Sequence, residues 1–410
     1  MTAHRTALVI GGGIAGPAAA IALQKAGIDP VIYEAHPTGA DDLGVFLILA
    51  SNGIDALRVL DADQPALAAG FPTSRIMLRG ATGKRLGQSR IGGTLPDGTT
   101  SHTLRRADLY RVLRDQAQAH GIRVEHGKRL IAAEDTGESV RAVFADGHEA
   151  VGDVLIGCDG VHSAVRRIID PAAPPPAYSG LLTNGGYARG VAVDTEPGSY
   201  EMIFGRRAFF VYVTAPNGEV WWFSNAQHRE EPARDEIANI STDEWRRRLL
   251  ALYADDAGPA TALIQATPQM TAMSPIHVLA HLPTWHRGRM IVIGDAAHAP
   301  SPSSGQGASL SIEDAVVLAK TLRELPSPQA AFAHFESSRR TRVENIIKWA
   351  ARINNTKVAG PIARVVYDAV LPVILRLTAD SKALRRVYDY HIEWEAPRLA
   401  AGNDRPDASR

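Results

Sequence analysis

One cysteine, Cys158, stands among 410 residues, so no disulfide can form within the chain and a thiolate-ligated metal cluster is excluded. Neither sign of charge prevails. The 44 Lys and Arg residues balance 44 Asp and Glu, which gives no electrostatic reason to expect nucleic acid or an anionic membrane as partner. Long apolar runs are missing too. The most apolar late stretch, residues 365–377, is broken by Asp368, Pro372 and Arg376 and is too short for a transmembrane segment. The N-terminus runs straight into an apolar strand, leaving no room for a cleavable signal peptide, and no internal repeat is found. A cytoplasmic chain is expected, with 45% apolar residues and length for two domains or one elaborate one.

What is present is punctuation. Ala7-Leu8-Val9-Ile10 reads as a short buried strand, and Gly11-Gly12-Gly13-Ile14-Ala15-Gly16 follows as a G-x-G-x-x-G turn. An alanine-rich helix is expected over 17–26 and a second strand over 30–33, ending in Glu34. This is half of a dinucleotide-binding βαβ unit. Gly11 permits the tight turn, Gly13 lets a pyrophosphate approach the backbone, and Gly16 lets helix and strand pack closely. Free N–H groups at the helix start suit the phosphate charge. Glu34 lies 18 residues after Gly16, where a carboxylate accepts hydrogen bonds from ribose hydroxyls.

Two further strand-to-turn units follow. In 153–167 an apolar run ends in Asp159-Gly160 and leads into a helix with Ser163 and Arg166. In 288–298 another ends in Gly294-Asp295, before a loop holding Pro300 and Gly305-Gln306-Gly307 and a helix from about Ala308. Asp295 terminates a buried strand, where a carboxylate is costly unless several donors satisfy it. Capping the next helix is the plainer alternative for it. Residues 71–103 turn often and suggest hairpins. Arg106 opens a helix reaching His120, with Leu109 and Leu113 at helical spacing.

Four prolines in 171–176 mark a boundary. Beyond about Tyr178, aromatic strand-like segments at 200–204, 208–213 and 220–223 suggest an antiparallel sheet, followed by a helix at 243–253. Tyr212 and Trp222 on those strands are expected to face a ligand, with burial in sheet core as the alternative. The fold class is α/β: a Rossmann-like dinucleotide domain with an inserted antiparallel β-sheet domain and C-terminal helices. Its expected parts are 1–175 (with the hairpin excursion at 71–103), 176–285 as the substrate domain, 286–358 completing the first domain, and a helical segment and tail at 359–410.

The ordered set Gly11–Gly16 with Glu34, Asp159-Gly160, and Gly294-Asp295 resembles the aromatic-hydroxylase class of single-component flavoprotein monooxygenases (group A). This is the family of p-hydroxybenzoate and salicylate hydroxylases, and the resemblance covers nearly the whole chain. It implies non-covalently bound FAD. Gly11, Gly13, Gly16 and Glu34 would hold its ADP part, and Arg106, opening an R-x-x-L-x-x-x-L helix, would also contact it. Asp159, Gly160, Ser163 and Arg166 are associated by the resemblance with FAD and with use of reduced nicotinamide. Gly294 and Asp295 would meet the ribityl side, while His298, Pro300, Gly305, Gln306 and Gly307 would lie by the isoalloxazine. Ala35-His36 stand where family members often carry an arginine, and the W-x-W-x-I-P run of flavin-dependent tryptophan halogenases is absent.

The resemblance implies a reaction as well. NADPH or NADH reduces FAD, O2 adds to the reduced flavin, and the C4a-hydroperoxide passes one oxygen to an electron-rich small-molecule substrate. His298 is then the polar candidate beside the ring, and Tyr212 and Trp222 the pocket candidates. The aromatic strands favour an aromatic or polycyclic, secondary-metabolite-like substrate. An oxidase or reductase of the same fold, an NAD-linked dehydrogenase and a non-enzymatic nucleotide-binding module are the alternatives. No metal is expected, and the oligomeric state and the choice between NADH and NADPH stay open.

Overall fold

The strand Arg5–Ile10 is apolar and buried from Ala7 onward, the pattern of a strand covered on both faces. In the computed structural model, which describes residues 5–38, 44–357 and 382–395, it lies inside a six-stranded sheet. Ile28–Tyr33 runs parallel on one side and Val154–Gly157 on the other. Met290–Val292 and Arg123–Glu125 extend the parallel order outward, and His286–Arg287 closes one edge in antiparallel sense. The strands of all three motif units are therefore adjacent, and their turns open at one carboxyl edge of one sheet. Open parallel sheets bind ligands at that edge.

Close packing builds this edge. A Cβ on Gly16 would fall 1.9 Å from the Gly11 carbonyl oxygen, and one on Gly11 (φ +107°) would fall 2.5 Å from that of Cys158. The helix Ala15–Lys25, buried from Ala15 through Leu23, packs on the sheet and against the long helix Gly307–Glu324. Its small residues permit that approach. A three-stranded antiparallel layer, residues 130–152, flanks the sheet.

A seven-stranded sheet forms the second layer, in the order Ser274–Val278, Ala177–Ala188, Val220–Gln227, Ala208–Thr214, Ser199–Phe204, Arg75–Gly80, Arg85–Arg90. Its pairs are antiparallel except Ser199–Phe204 with Arg75–Gly80. The 71–103 excursion thus supplies two strands to this sheet and then returns through His102–Arg105, which pairs with Phe46–Leu49. Helices Thr242–Tyr253 and Ala260–Gln265 cover one face with an apolar cluster that includes Phe210, Tyr212 and Trp222. The opposite face, with Tyr200, Phe209 and Phe223, turns toward the dinucleotide layer.

Helix Pro328–Lys357 lies against Gly307–Glu324, and a short helix, Lys382–Tyr388, returns to the first domain. The helix expected at 361–377 and the tail beyond 395 lie outside the described residues. No helix among the described residues is long and apolar enough to cross a membrane.

Candidate active site

One continuous cavity of about 2310 Å³ runs between the two layers. Its walls include Gly11, Gly13, Glu34, Arg106, Asp159, Gly160, Asp295, Pro300, Gly305, Gln306 and Gly307. Three motif units far apart in sequence therefore meet in one space.

Two helix N-termini point into it. Ala15–Lys25 begins behind Ile14 and Gly307–Glu324 behind Gln306, and neither start carries a side-chain cap. Gly13, Ile14, Ala15, Gly307 and Ala308 all line the space. Uncapped N–H groups and the positive ends of two helix dipoles make both places suited to anions. At the far end of the first strand pair, Glu34 accepts from Gly12 N–H at 2.6 Å and His36 N–H at 2.7 Å. Each of its oxygens retains a lone pair for a ribose hydroxyl.

Asp295 follows the left-handed Gly294 (φ +58°) and faces the start of the Gly307–Glu324 helix. It has no hydrogen-bond partner among the described residues. Burial pushes its carboxyl above the usual carboxylate range, against the pull of Arg106 and His298. A half-buried carboxylate lining a cavity and lacking a protein donor fits a ligand chain rich in hydroxyls. It does not cap the helix, whose start has no side-chain cap. Arg106 lines the cavity, whereas its neighbour Arg105 pairs with Glu219 at 2.7 Å and stacks on Tyr187.

Other expected residues shape the turns themselves. Asp159 accepts from Ser163 Oγ, from Ala164 N–H at 2.6 Å and from Val165 N–H at 3.1 Å. Ser163 caps the same helix through Arg166 N–H. Arg166 is buried and donates to the Ala296 carbonyl at 3.0 Å and the Val161 carbonyl at 2.7 Å. It ties the Asp159 turn to the Gly294-Asp295 turn without lining the cavity. Gly16 and Gly294 likewise shape backbone and stay outside the lining.

The three residues expected to do chemistry are placed elsewhere. Trp222 is fully buried, stacked on Phe210 and bonded through Nε1 to Thr267 Oγ1 at 2.7 Å. Tyr212 pairs with it across the strands in the same cluster. Both belong to the helix-covered face, because residues of one strand alternate between faces. The cavity-side parity belongs to Phe209, Phe223, Asn225, Thr183 and Met202, which line the cavity with Phe46, Ile48 and Tyr200. Asn225 Nδ2 donates to Thr183 Oγ1 at 3.1 Å, a polar pair in this apolar wall.

His298 is buried, does not line the cavity, and bonds through Nε2 to Asp314 at 2.6 Å. Asp314 also accepts from Gly294 N–H at 3.0 Å and from Arg339 Nε at 2.7 Å. Burial would raise the Asp314 pKa, yet His298 and Arg339 outweigh it and hold the carboxyl at about 2. Nothing in a local motif points to Asp314, which sits mid-helix and 20 residues from the turn it holds.

The FAD binding domain family matches residues 4–350. A FAD-dependent urate hydroxylase of Klebsiella pneumoniae is 31% identical over 349 residues, 83% of this chain and 87% of that one. The 2-heptyl-3-hydroxy-4(1H)-quinolone synthase of Pseudomonas aeruginosa is 30% identical over 353 residues, 84% of this chain and 87% of that one. The solved structure of Klebsiella pneumoniae HpxO complexed with FAD and uric acid has a TM-score of 0.81 at 26% identity, over 94% of this chain and 98% of that one. The chain belongs to the single-component FAD-dependent hydroxylases, the group A flavoprotein monooxygenases. It is an FAD-dependent monooxygenase.

Replacing Trp222 with alanine removes a fully buried indole from the helix-covered face and should cost about 3–5 kcal/mol of stability. Urea unfolding measures that loss, and FAD titration of the folded variant should give wild-type affinity.

Proposed function

We propose that the chain hydroxylates a small aromatic or heteroaromatic compound, using O2 and NADH or NADPH. The observation that carries this reading is the shared cavity: an apolar, aromatic sheet face stands opposite the flavin-type motif turns. The names of the relatives agree, since urate and a quinolone are both nitrogen heterocycles.

In this reading Gly11, Gly13 and the uncapped helix behind them hold the pyrophosphate, with Gly16 allowing the close turn. Glu34 takes the ribose hydroxyls, Asp295 the ribityl hydroxyls, and Arg106 balances the phosphate or the Asp295 charge. Pro300 and Gly305-Gln306-Gly307 would flank the flavin ring, and the second helix N-terminus there would favour negative charge on it. Asp159, Gly160, Ser163, Arg166 and Gly294 fix the backbone that carries these groups. FAD when bound supplies oxygen activation after reduction, and the chain's own part is to orient substrate and exclude water. Phe46, Met202, Phe209 and Phe223 do the excluding, while Thr183 and Asn225 offer hydrogen bonds to a ring substituent. No side-chain base is assigned. His298 holds the Gly294 turn through Asp314 and does not touch substrate.

Two tests follow from the assignment. Protein loaded with FAD should oxidise NADH or NADPH slowly alone and faster with one or more members of an aromatic and heteroaromatic panel. A hydroxylated product should form with the extra turnover. Acceleration with hydrogen peroxide as the sole product for every compound would favour the oxidase or reductase reading. The second test concerns Asp295. Ribityl donors need its ionised form, so FAD affinity should fall as pH drops below its raised pKa, by up to about tenfold per pH unit. Asp295→Asn should weaken FAD roughly tenfold to a hundredfold near neutrality and flatten that pH dependence. Unchanged titrations would remove the assignment.

A further inference from the structure

The residues after the long C-terminal helix re-enter the site. The match to the family's FAD-binding domain covers residues 4–350, and beyond it Arg386, Val387, Tyr388 and Tyr390 line the cavity. Backbone contacts fasten this arm. Arg342 donates to the Arg386 carbonyl at 2.6 Å and the Val387 carbonyl at 2.8 Å, and Ser51 Oγ donates to that of Tyr388 at 3.1 Å.

Tyr390 lies over two guanidinium groups, Arg342 at 4.2 Å and Arg339 at 5.2 Å from its ring centre. Arg339 is fully buried and its Nη2 has no hydrogen-bond partner. An electron-rich ring face is the cover that such a cation accepts in place of water. Beyond the two arginines stand two carboxylates. Arg339 pairs with Glu313 and Asp314, each at 2.7 Å, and Arg342 pairs with Glu313 at 2.7 Å.

Each carboxylate reaches a different turn. Asp314 holds Gly294 N–H, as above. Glu313 accepts from Asn52 Nδ2 at 2.6 Å, and the same nitrogen donates to Gln306 Oε1 at 2.9 Å. Tyr390 is thus linked through short contacts to both the Gly294-Asp295 turn and the Gln306-Gly307 helix start.

We propose that Tyr390 is a positioning residue: its ring holds Arg339 and Arg342 against Glu313 and Asp314, and so sets the two turns that receive the flavin. The proposal rests on FAD seating at those turns, as assigned above. Without the ring, the arginines lose their cover, the carboxylates lose fixed partners, and the turns lose their pre-set geometry. A phenyl ring suffices for this role, so the hydroxyl is dispensable.

The test is FAD binding to apoprotein, followed by quenching of flavin fluorescence and independent of turnover. Tyr390→Leu should weaken FAD about tenfold, and Tyr390→Phe should bind within about twofold of wild type. Should the leucine variant fail to fold, Tyr390→Met keeps the comparison, with the same loss expected. Equal FAD affinity in the ring and ringless variants overturns the proposal. A wild-type protein that binds no FAD would instead overturn the seating on which it rests.

Discussion

Glu313 and Asp314 are adjacent carboxylates in the interior of one helix, and both are fully buried with Arg339 between them. Charges placed there are expensive to desolvate, and removing one partner of such a cluster typically costs about 3–5 kcal/mol. The cluster is the point where the cofactor layer, the C-terminal arm and two of the motif turns join. Asp314 fixes the Gly294 backbone and orients His298, while Glu313 fixes Asn52 and, with it, Gln306. The Gly294-Asp295 turn is therefore held from behind by residues that belong to no turn at all.

On the cavity side the same arrangement leaves specific polar groups without protein partners. The N-termini of Ala15–Lys25 and Gly307–Glu324 carry no side-chain cap, and the half-buried Asp295 has no donor among the described residues. Leaving such groups unsatisfied is unfavourable for the chain alone and favourable for a ligand that completes them. Two anion-favouring helix ends and one hydroxyl-seeking carboxylate, set along one channel, match a molecule with a phosphate end, a polyol middle and an electron-accepting ring. The apolar sheet face opposite supplies the remaining requirement, a dry place for a second ring.

The cofactor half was legible in the sequence because its constraints are local. A buried strand, a glycine without room for a Cβ and a helix start must occur in that order, so Gly11–Gly16, Asp159-Gly160 and Gly294-Asp295 announce themselves. The substrate half was not. Phe209 and Phe210, or Trp222 and Phe223, are equally plausible pocket residues until one knows which face Thr242–Tyr253 covers. That choice is made by tertiary packing, and it puts Phe209, Phe223 and Asn225 on the cavity face and Tyr212 and Trp222 in the core. Asp314, Arg339 and Tyr390 were hidden for a related reason. A carboxylate inside a helix signals a solvated face in sequence, and its burial depends on an arginine 25 residues away. The hairpin strands at 75–90 join a partner strand more than a hundred residues later, a pairing no local pattern encodes.

The most direct measurement is a crystal structure of the full chain with FAD bound. The account predicts the pyrophosphate at Gly11–Gly13, ribityl hydroxyls bonded to Asp295, and the isoalloxazine between Gly305–Gly307 and the Met202–Phe223 face. An isoalloxazine seated elsewhere, with Asp295 left without a ribityl partner, would contradict it.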